Sequence, residues 1–297
     1  MSVKKNISEF FLNKSHSYQF YKDSFDSNKK KLKKIERENK KLKKSNKELK
    51  EQMKFRGNSI DFLLNGGEVP EKLAKYCPIC KNINYYKPYG VPPRNAMCPV
   101  CGSLERDRFF QLIKEQKFPD IFDKPCKVLH FAPESILYSF FTENKNIDYF
   151  PVDFCPEIYA ERNINIREKV NMEEIPYENN TFDFIYNSHV LEHVPDDIKG
   201  MGELRRVLKE DGICITTVPL SNIPETFENE EYNTPELRLK YFGQRDHLRR
   251  YGNDFKDRLE SVGFNVEELK AKDIMSDDNK RKVYGLLEHE KFFICRK

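Results

Sequence analysis

Apolar and polar positions along residues 103–297 change period repeatedly, and each change predicts a switch between a strand and a helix. Short apolar runs indicate the strands, and the segments between them have the spacing of helices. Strands are predicted at 127–131, 147–152, 182–187, 213–218, 264–269 and 292–295, with one more ending before Asn171. Helices are predicted from Ser103 onwards and at 135–144, 195–208 and 254–262. This alternation predicts an α/β fold, with a largely parallel sheet covered by helices on both faces.

Residues 32–53 follow a different pattern, with alternating steps of three and four residues between core positions. The core positions of this heptad repeat are Leu32, Ile35, Asn39, Leu42, Asn46, Leu49 and Met53. Its d positions, Ile35, Leu42 and Leu49, are apolar, whereas two of its a positions hold asparagine. Asparagine at a with leucine at d favours a parallel two-stranded coiled coil, so we expect a homodimer through residues 32–53. The alternative is a solvated basic helix or spacer, because the repeat is short and strongly charged.

The net charge of +4 is unevenly distributed along the chain. Residues 29–56 contain 14 lysines and arginines against four glutamates, a net charge of +10, and residues 57–297 carry a net charge of −7. This acidic body disfavours a catalytic domain that binds a nucleic-acid backbone over a wide face, although the basic arm could still contact a polyanion. No apolar run approaches the ~20 residues of a membrane span, and no signal peptide follows Met1. We expect an intracellular, cytoplasmic protein.

Four of the eight cysteines form two matching pairs, Cys77-Pro-Ile-Cys80 and Cys98-Pro-Val-Cys101, separated by seventeen residues. In an intracellular chain this spacing favours a metal over disulfides. Four thiolates would surround Zn²⁺ completely, so the site would be structural and its module ribbon-like. The alternative is four unrelated core cysteines. The predicted domains are the basic coiled-coil arm at 1–56, the zinc module at 57–102 and the α/β domain at 103–297.

Polar residues follow the predicted strands at the edge where open α/β sheets bind their ligands. Residues 130–134, Asp153, residues 171–173 and residues 187–189 each follow a strand. Asp153 lies twenty-three residues after His130, about where dinucleotide-type folds place an acid to bind ribose hydroxyls. These positions predict a nucleotide-type cofactor pocket.

Three motifs in residues 103–297 resemble the class I S-adenosylmethionine-dependent methyltransferases of the broad type-11 kind. Residues 174–183 (EIPYENNTFD) resemble the family segment LPF-x-D-x-S-F-D, and residues 188–194 (SHVLEHV) match its HVLEHV strand exit. Residues 203–212 (ELRRVLKEDG) match EL-x-RVLK-x-GG. The resemblance implies a Rossmann-like seven-stranded methyltransferase sheet, with S-adenosyl-L-methionine as cofactor.

The resemblance also implies cofactor-binding roles for individual residues. Asp153 would bind the ribose diol, and Asn171 with the backbone of Met172 would bind the adenine. The loop that approaches the methionine end and the ribose is His130, Phe131, Ala132, Pro133 and Glu134. The residues that line the methionine side are Asn187, Ser188 and His189.

The chain departs from the family at residues 131–134, Phe-Ala-Pro-Glu, where a glycine-rich turn is usual. Ala132 is small, and Pro133 would fix the turn. The chain also resembles a subgroup that has an Ala-Pro-Glu turn and a cysteine module ahead of it. Members of that subgroup are often assumed to act on surface glycans.

Residues 189–193 also spell H-x-x-E-H, the zinc motif of inverzincin proteases. That motif requires a helix with both histidines on one face, whereas here a strand precedes it and Pro195 follows. We therefore disfavour a protease and expect Glu192 and His193 to pack and hydrogen-bond around the turn.

Residues 220–253 form a long insertion that is rich in charged and aromatic side chains, as is typical of segments that shape substrate specificity. His247 is the candidate general base for a hydroxyl acceptor. Arg245, Arg249 and Tyr251 are candidates to hold an acidic or hydroxylated acceptor. The alternative is a structural hydrogen-bond network of Asp246, His247 and Arg249.

The favoured function is O-methylation of a glycan-type or small-molecule acceptor. One alternative is an RNA methyltransferase that uses the zinc module and the basic arm, which the acidic body disfavours. A second alternative is a non-catalytic adaptor with a vestigial cofactor pocket, supported only by the missing glycines.

Overall fold

The computed structural model describes residues 33, 34, 36–41, 43, 74–90 and 93–297. The chain divides into two compact units, Met1–Phe62 and Leu63–Lys297. The described residues of the first unit are helical and exposed. The apolar positions of the heptad repeat lie outside the described residues, so the coiled-coil homodimer stays a prediction. No helix in the part of the chain that the structure describes has the length and apolar character to cross a membrane.

The second unit contains a seven-stranded sheet, preceded by two short hairpins in the cysteine region. The hairpin strands are β1 (Lys75–Tyr76), β2 (Ile83–Asn84), β3 (Lys87–Tyr89) and β4 (Arg94–Met97). The strands of the large sheet are β5 (Cys126–Phe131), β6 (Ile147–Asp153), β7 (Glu168–Lys169), β8 (Phe182–Ser188), β9 (Leu208–Thr217), β12 (Asn265–Lys270) and β13 (Lys291–Arg296). Between β9 and β12, the insertion contributes a pair of two-residue strands, β10 (Phe227–Glu228) and β11 (Arg249–Arg250).

Helices cover both faces of the sheet. They are α1 (Glu105–Lys117), α2 (Ser135–Glu143), α3 (Asp197–Val207), α4 (Pro235–Phe242), α5 (Phe255–Ser261), α6 (Ala271–Ile274) and α7 (Asp278–Tyr284). Two 3₁₀ turns, Pro156–Tyr159 and Leu191–His193, follow β6 and β8. One core lies between the sheet and helices α3 and α5, and a second lies between the opposite face and helices α1, α2 and α6. The α/β fold that the sequence predicts is confirmed.

The strand order is β12-β13-β9-β8-β5-β6-β7, with β13 antiparallel to both of its neighbours and the other neighbouring pairs parallel. The central strands are nearly continuous apolar runs because both of their faces are buried. The order reverses at β5, which has β6 on one side and β8 on the other. The carboxyl ends of these strands therefore flank the crevice where such sheets bind ligands.

The start of α1 differs from the predicted start of a helix at Ser103. Leu104 is the N-cap residue, and its backbone N–H donates to the Asp107 carboxylate at 2.8 Å. The Ser103 hydroxyl instead lies 3.3 Å from the sulfurs of Cys77 and Cys101. The serine therefore belongs to the cysteine module, and the acid in the first turn provides the cap.

Arg108 of α1 joins the cysteine module to the large sheet. Its buried guanidinium donates to the backbone carbonyls of Ala96 and Ser103 in the module at 3.1 and 2.8 Å. It also donates to the carbonyls of Tyr284 and Gly285, at the end of α7, at 3.0 and 2.8 Å. Charged donors are stabilised in a protein interior only when such acceptors surround them. Arg108 is thus one of the side chains that tie the hairpins to the α/β domain.

Candidate functional site

The loop after β5 turns sharply without a glycine. Ala132 has φ of +50°, in the left-handed region that normally favours glycine, and its N–H donates to the carbonyl of Val152 at 3.0 Å. The left-handed conformation destabilises an L-residue by about 1–2 kcal/mol, and alanine is the L-residue with the smallest side chain. Ala132 therefore adopts the backbone conformation for which the family usually has glycine.

Glu134 lies at the N-terminus of α2 and is held by two cationic or hydrogen-bonding neighbours. Its carboxylate lies 3.0 Å from Nε2 of His130 and 3.5 Å from Nε of Arg106. Burial raises the pKa of Glu134, but the hydrogen bond from His130 and the charge of Arg106 outweigh burial and lower it overall. Glu134 is therefore an anion at neutral pH.

The remaining loop residues are packed into the fold. His130 is fully buried, and its Nδ1 is 2.8 Å from the hydroxyl of Tyr149, so both ring nitrogens are engaged. Phe131 and Pro133 are buried as well. The structure thus places His130 where it positions Glu134, and leaves Ala132 and Glu134 as the half-buried members of the loop.

Asp153 ends β6 with its carboxylate already oriented. Oδ1 accepts from the backbone N–H of Cys155 at 2.6 Å, and Oδ2 accepts from the hydroxyl of Tyr159 at 2.9 Å. Burial raises the pKa of Tyr159, so its hydroxyl stays protonated as a donor. Each carboxylate oxygen retains a further lone pair for a ligand hydroxyl. Tyr159 is a supporting residue that the sequence reasoning missed, because a lone tyrosine after Asp153 gives no distinctive signal.

Asn171 and Met172 follow β7, the neighbour of β6. Asn171 is exposed, and its side-chain oxygen accepts from the backbone N–H of Glu173 at 3.1 Å, which forms a local turn. The Met172 side chain is buried in the core beneath. This leaves the Asn171 amide and the local backbone as the groups that could meet a base.

The exit of β8 contains Asn187, Ser188 and His189. Asn187 is buried, with its side-chain oxygen accepting from the Thr216 hydroxyl at 2.6 Å, so it joins β8 to β9. The buried hydroxyl of Ser188 has no hydrogen-bond partner among the described residues. His189 has φ of +54°, which ends the strand abruptly, and its N–H donates to the carbonyl of Thr217 at 2.9 Å.

Arg249 fastens the insertion to the turn after β8. It is buried and donates to the carbonyls of Leu191, Val194 and Pro195 and to the Glu228 carboxylate. All three guanidinium nitrogens are thus engaged. This placement does not fit the expectation that Arg249 holds an acceptor, and it favours the structural alternative for this residue.

Tyr251 and Arg245 also have placements that bear on their predicted roles. Tyr251 is fully buried, and its hydroxyl donates to the Asp197 carboxylate at 2.7 Å, which leaves it no access to an acceptor. Arg245 is exposed and lies 3.8 Å from Glu236. Asp246 pairs with His193 at 3.4 Å instead of joining a network with Arg249.

Glu192, His193 and His247 meet where the insertion packs against the turn. The donor atoms of these three side chains lie within 4.8 Å of one another. The backbone N–H of Leu248 donates to the carbonyl of Glu192 at 2.9 Å, and the rings of His193 and His247 are in edge-to-face contact at 4.8 Å. Burial lowers the pKa of His247, with Glu192 opposing that effect, so the imidazole is neutral at pH 7.

A cavity of about 320 Å³ opens beside this cluster, between the insertion and the turn after β8. Most of the residues that line it are polar or charged, and one contributes an aromatic ring: Pro195, Glu228, Asn229, Glu230, Tyr232, Asn233, Arg238, Leu248 and Arg249. The ring of Tyr232 stacks on Tyr241 at 4.0 Å, and Nε of Arg238 is buried without a hydrogen-bond partner in the described chain. Sequence reasoning identified the insertion but not these residues, because their convergence depends on the loop conformation.

The four paired cysteines come together as two matching knuckles. Sulfur–sulfur distances are 3.6 Å for Cys77 and Cys101 and 3.7 Å for Cys80 and Cys98. Tetrahedral Zn–S bonds of about 2.3 Å require a separation of about 3.8 Å, whereas a disulfide requires about 2.05 Å. The residue after each pair, Lys81 or Gly102, is left-handed, and its N–H donates at 2.9 Å to the carbonyl of the first cysteine of the pair. This geometry fits a Cys₄ zinc site.

Comparison with known proteins identifies one family. A family model described as a methyltransferase domain matches residues 120–269, half of the chain. None of the curated proteins matches.

Several solved structures resemble the chain at low identity. A SAM-dependent methyltransferase from Archaeoglobus fulgidus is 14% identical, with 64% of this chain and 94% of that chain covered and a TM-score of 0.42. The PH0226 protein from Pyrococcus horikoshii is 17% identical, with coverage of 66% and 93% and a TM-score of 0.42. The YcgJ protein from Bacillus subtilis is 15% identical, with coverage of 59% and 93% and a TM-score of 0.39.

Proposed function

This chain belongs to the methyltransferase-domain family, and from that membership we propose that it transfers the methyl group of S-adenosylmethionine to a hydroxyl group of a glycan or a smaller sugar-like acceptor. The observation that carries the proposal is the oriented carboxylate of Asp153 beside the glycine-like turn at Ala132, at the carboxyl ends of the adjacent strands β6 and β5. We also propose that the four paired cysteines hold a structural Zn²⁺.

The residues around the crevice fit the parts of the cofactor. The Asp153 carboxylate has acceptor capacity for both ribose hydroxyls, and the exposed Asn171 amide suits the adenine edge. Ala132 allows the backbone to pass close by, and Ser188 offers a hydroxyl without a partner among the described residues. When bound, S-adenosylmethionine supplies an electrophilic methyl group on a positively charged sulfur.

The acceptor class follows from the cavity at the insertion. Carboxylate and amide groups with a stacked tyrosine are suited to a molecule that carries several hydroxyl groups. The positive charge of Arg238 in the lining would favour an acceptor that also has a carboxylate. The protein's task is then to hold one acceptor oxygen in line with the methyl group and to keep water out.

An alcohol must lose its proton as it attacks, and His247, Glu192 and His193 adjoin the cavity through Leu248. We assign assistance of this proton loss to the cluster. The role of His247 as the general base stays a prediction. If the cluster binds a metal ion, His247 is a ligand of that ion and not the base.

Replacing Asp153 with alanine is expected to weaken S-adenosylmethionine and S-adenosylhomocysteine binding about 10- to 100-fold, because hydrogen bonds to a charged group are worth about 1.5–3 kcal/mol. Calorimetric titration of the zinc-loaded protein measures the effect. Asp148→Ala is the matched control, since it removes an exposed aspartate from the same strand, where it pairs only with Arg167 at 3.1 Å.

Unchanged affinity in Asp153→Ala would remove Asp153 from the cofactor site. Failure of the wild-type protein to bind either ligand would favour the non-catalytic adaptor. If the cofactor binds, acceptors are screened with glycans and sugar acids first. Salt-sensitive RNA binding that is lost on deletion of residues 1–56 would instead favour the RNA methyltransferase.

A further inference from the structure

Glu192 is a buried carboxylate without a hydrogen-bond partner among the described residues. Only 1% of the residue is exposed, and neither carboxylate oxygen accepts a hydrogen bond from any residue that the structure describes. This differs from the expectation that Glu192 hydrogen-bonds around the turn. A desolvated carboxylate is strongly unfavourable unless a positive charge or hydrogen-bond donors compensate for it. The fold therefore leaves Glu192 in need of a cation.

Two imidazoles, those of His193 and His247, each place a ring nitrogen within 4.8 Å of the Glu192 carboxylate and of each other. His247 is 4% exposed, and its Nε2 has no hydrogen-bond partner within the described residues. Nδ1 of His193 lies 3.4 Å from the carboxylate of Asp246, which favours the proton on Nδ1 and leaves the lone pair on Nε2. A carboxylate behind a ring nitrogen is the usual support of a histidine that binds a metal.

We propose that Glu192, His193 and His247 form a second metal site, specific for a divalent cation that accepts both imidazole and carboxylate ligands, such as Zn²⁺, Fe²⁺ or Co²⁺. Metal–ligand bonds of about 2.1 Å allow donor atoms to be at most about 4.2 Å apart. The three donor atoms, which lie within 4.8 Å of one another, would therefore move slightly closer together by small side-chain adjustments when the metal binds. Nδ1 of His189 lies 3.4 Å from Oε1 of Glu192 and is available as a further ligand.

This site differs in kind from both metal sites that the sequence suggests. The Cys₄ site offers four sulfurs and has no open position, whereas three side chains leave the cation open to an exogenous oxygen. The H-x-x-E-H protease motif requires its two histidines on one helix, but Leu191–His193 is a single 3₁₀ turn, and His247 comes from the insertion. The second histidine ligand is thus supplied by the segment that also forms the acceptor cavity.

The location suggests what the cation does, and this step rests on the proposed function. The cluster follows the exit of β8, which we assign to the methionine side of the cofactor, and it adjoins the acceptor cavity at Leu248. An acceptor hydroxyl bound to the cation would have a lowered pKa, so its oxygen would lose the proton more readily as it takes the methyl group. The proton would leave to solvent, and His247 would serve as a ligand.

The test is a count of metal per chain that needs neither cofactor nor acceptor. Full-length protein is equilibrated with excess Zn²⁺, dialysed against a weak chelator and measured by plasma mass spectrometry. We expect two zinc equivalents in the wild type and one in Glu192→Gln and in His247→Ala. Glu236→Gln, the same change at an exposed position of the insertion, should retain two.

The equivalent retained by the variants reports an intact Cys₄ site and hence a folded chain. Loading with Co²⁺ adds a spectroscopic check: the intense thiolate bands should persist in Glu192→Gln, while the weaker bands of the nitrogen–oxygen site disappear. A single equivalent in the wild type, or two in every variant, would overturn the site. Two equivalents in a protein that binds no S-adenosylmethionine would overturn the proposed function and leave the metal site standing.

Discussion

Cys80→Ser is expected to release the Cys₄ zinc and to unfold the hairpins that the four cysteines hold. Hydrophobic contacts contribute little here, since the buried apolar cluster of the module consists of Cys77, Tyr86 and Cys98. Structural zinc supplies about 10–16 kcal/mol of binding free energy in small zinc modules, so the metal would be the main source of stability in this region. We expect loss of one zinc equivalent and a large increase in amide hydrogen exchange over residues 74–104.

Cys155→Ser is the matched control, because Cys155 is exposed and lies outside the knuckles. It should retain its zinc and its exchange protection. Chelator-driven zinc release, followed with a colorimetric dye, gives the metal count, and exchange measured by mass spectrometry locates the unfolding. Wild-type protein purified without zinc, yet fully protected over residues 74–104, would show that the four cysteines are ordinary core residues.

Arg108→Gln is expected to lower the free energy of unfolding by about 3–5 kcal/mol. Four backbone carbonyls lose a charged donor, and removing one partner of a buried ionic or strongly polar arrangement costs about that much. Arg108→Lys should recover only part of the loss, because one ammonium group cannot match the fork of a guanidinium. The guanidinium also lies 4.4 Å from the centre of the Tyr86 ring, a contact that both variants weaken.

Urea unfolding monitored by circular dichroism gives the free energies for these variants. Arg245→Gln provides the comparison, since its side chain is 69% exposed and its ion pair with Glu236 should contribute no more than about 1 kcal/mol. Equal stabilities of Arg108→Gln and Arg245→Gln would show that the cysteine module and the α/β domain are held together by other contacts.

The sheet could be predicted from the sequence because its strands are buried on both faces. Strands β5, β8 and β13 are largely apolar, and the structure shows the two-faced burial that this composition predicts. The location of the proposed cofactor residue Asp153 could be predicted for a related reason. Parallel strands place their carboxyl ends at one edge, so a residue just after a strand has a predictable location.

The acceptor side could not be predicted in the same way. Residues 192 and 247 meet through long-range contacts of the insertion, among them the hydrogen bonds of Arg249 to the carbonyls of Leu191 and Val194, and no local pattern encodes such contacts. Ser103 illustrates a different limit. Its residue type favours a helix cap, but the two thiols beside it compete for the same hydroxyl in the folded protein.

The anchoring of the insertion has a consequence for how this protein could acquire new specificities. Its C-terminal end is fixed by Arg249 and Tyr251, whereas Tyr232 and Arg238, earlier in the insertion, line the cavity. Neither Tyr232 nor Arg238 takes part in the hydrogen bonds of these anchors, although Arg249 also lines the cavity. If the proposed function holds, selection or a designed library could therefore alter the acceptor through these positions without breaking the contacts that anchor the insertion.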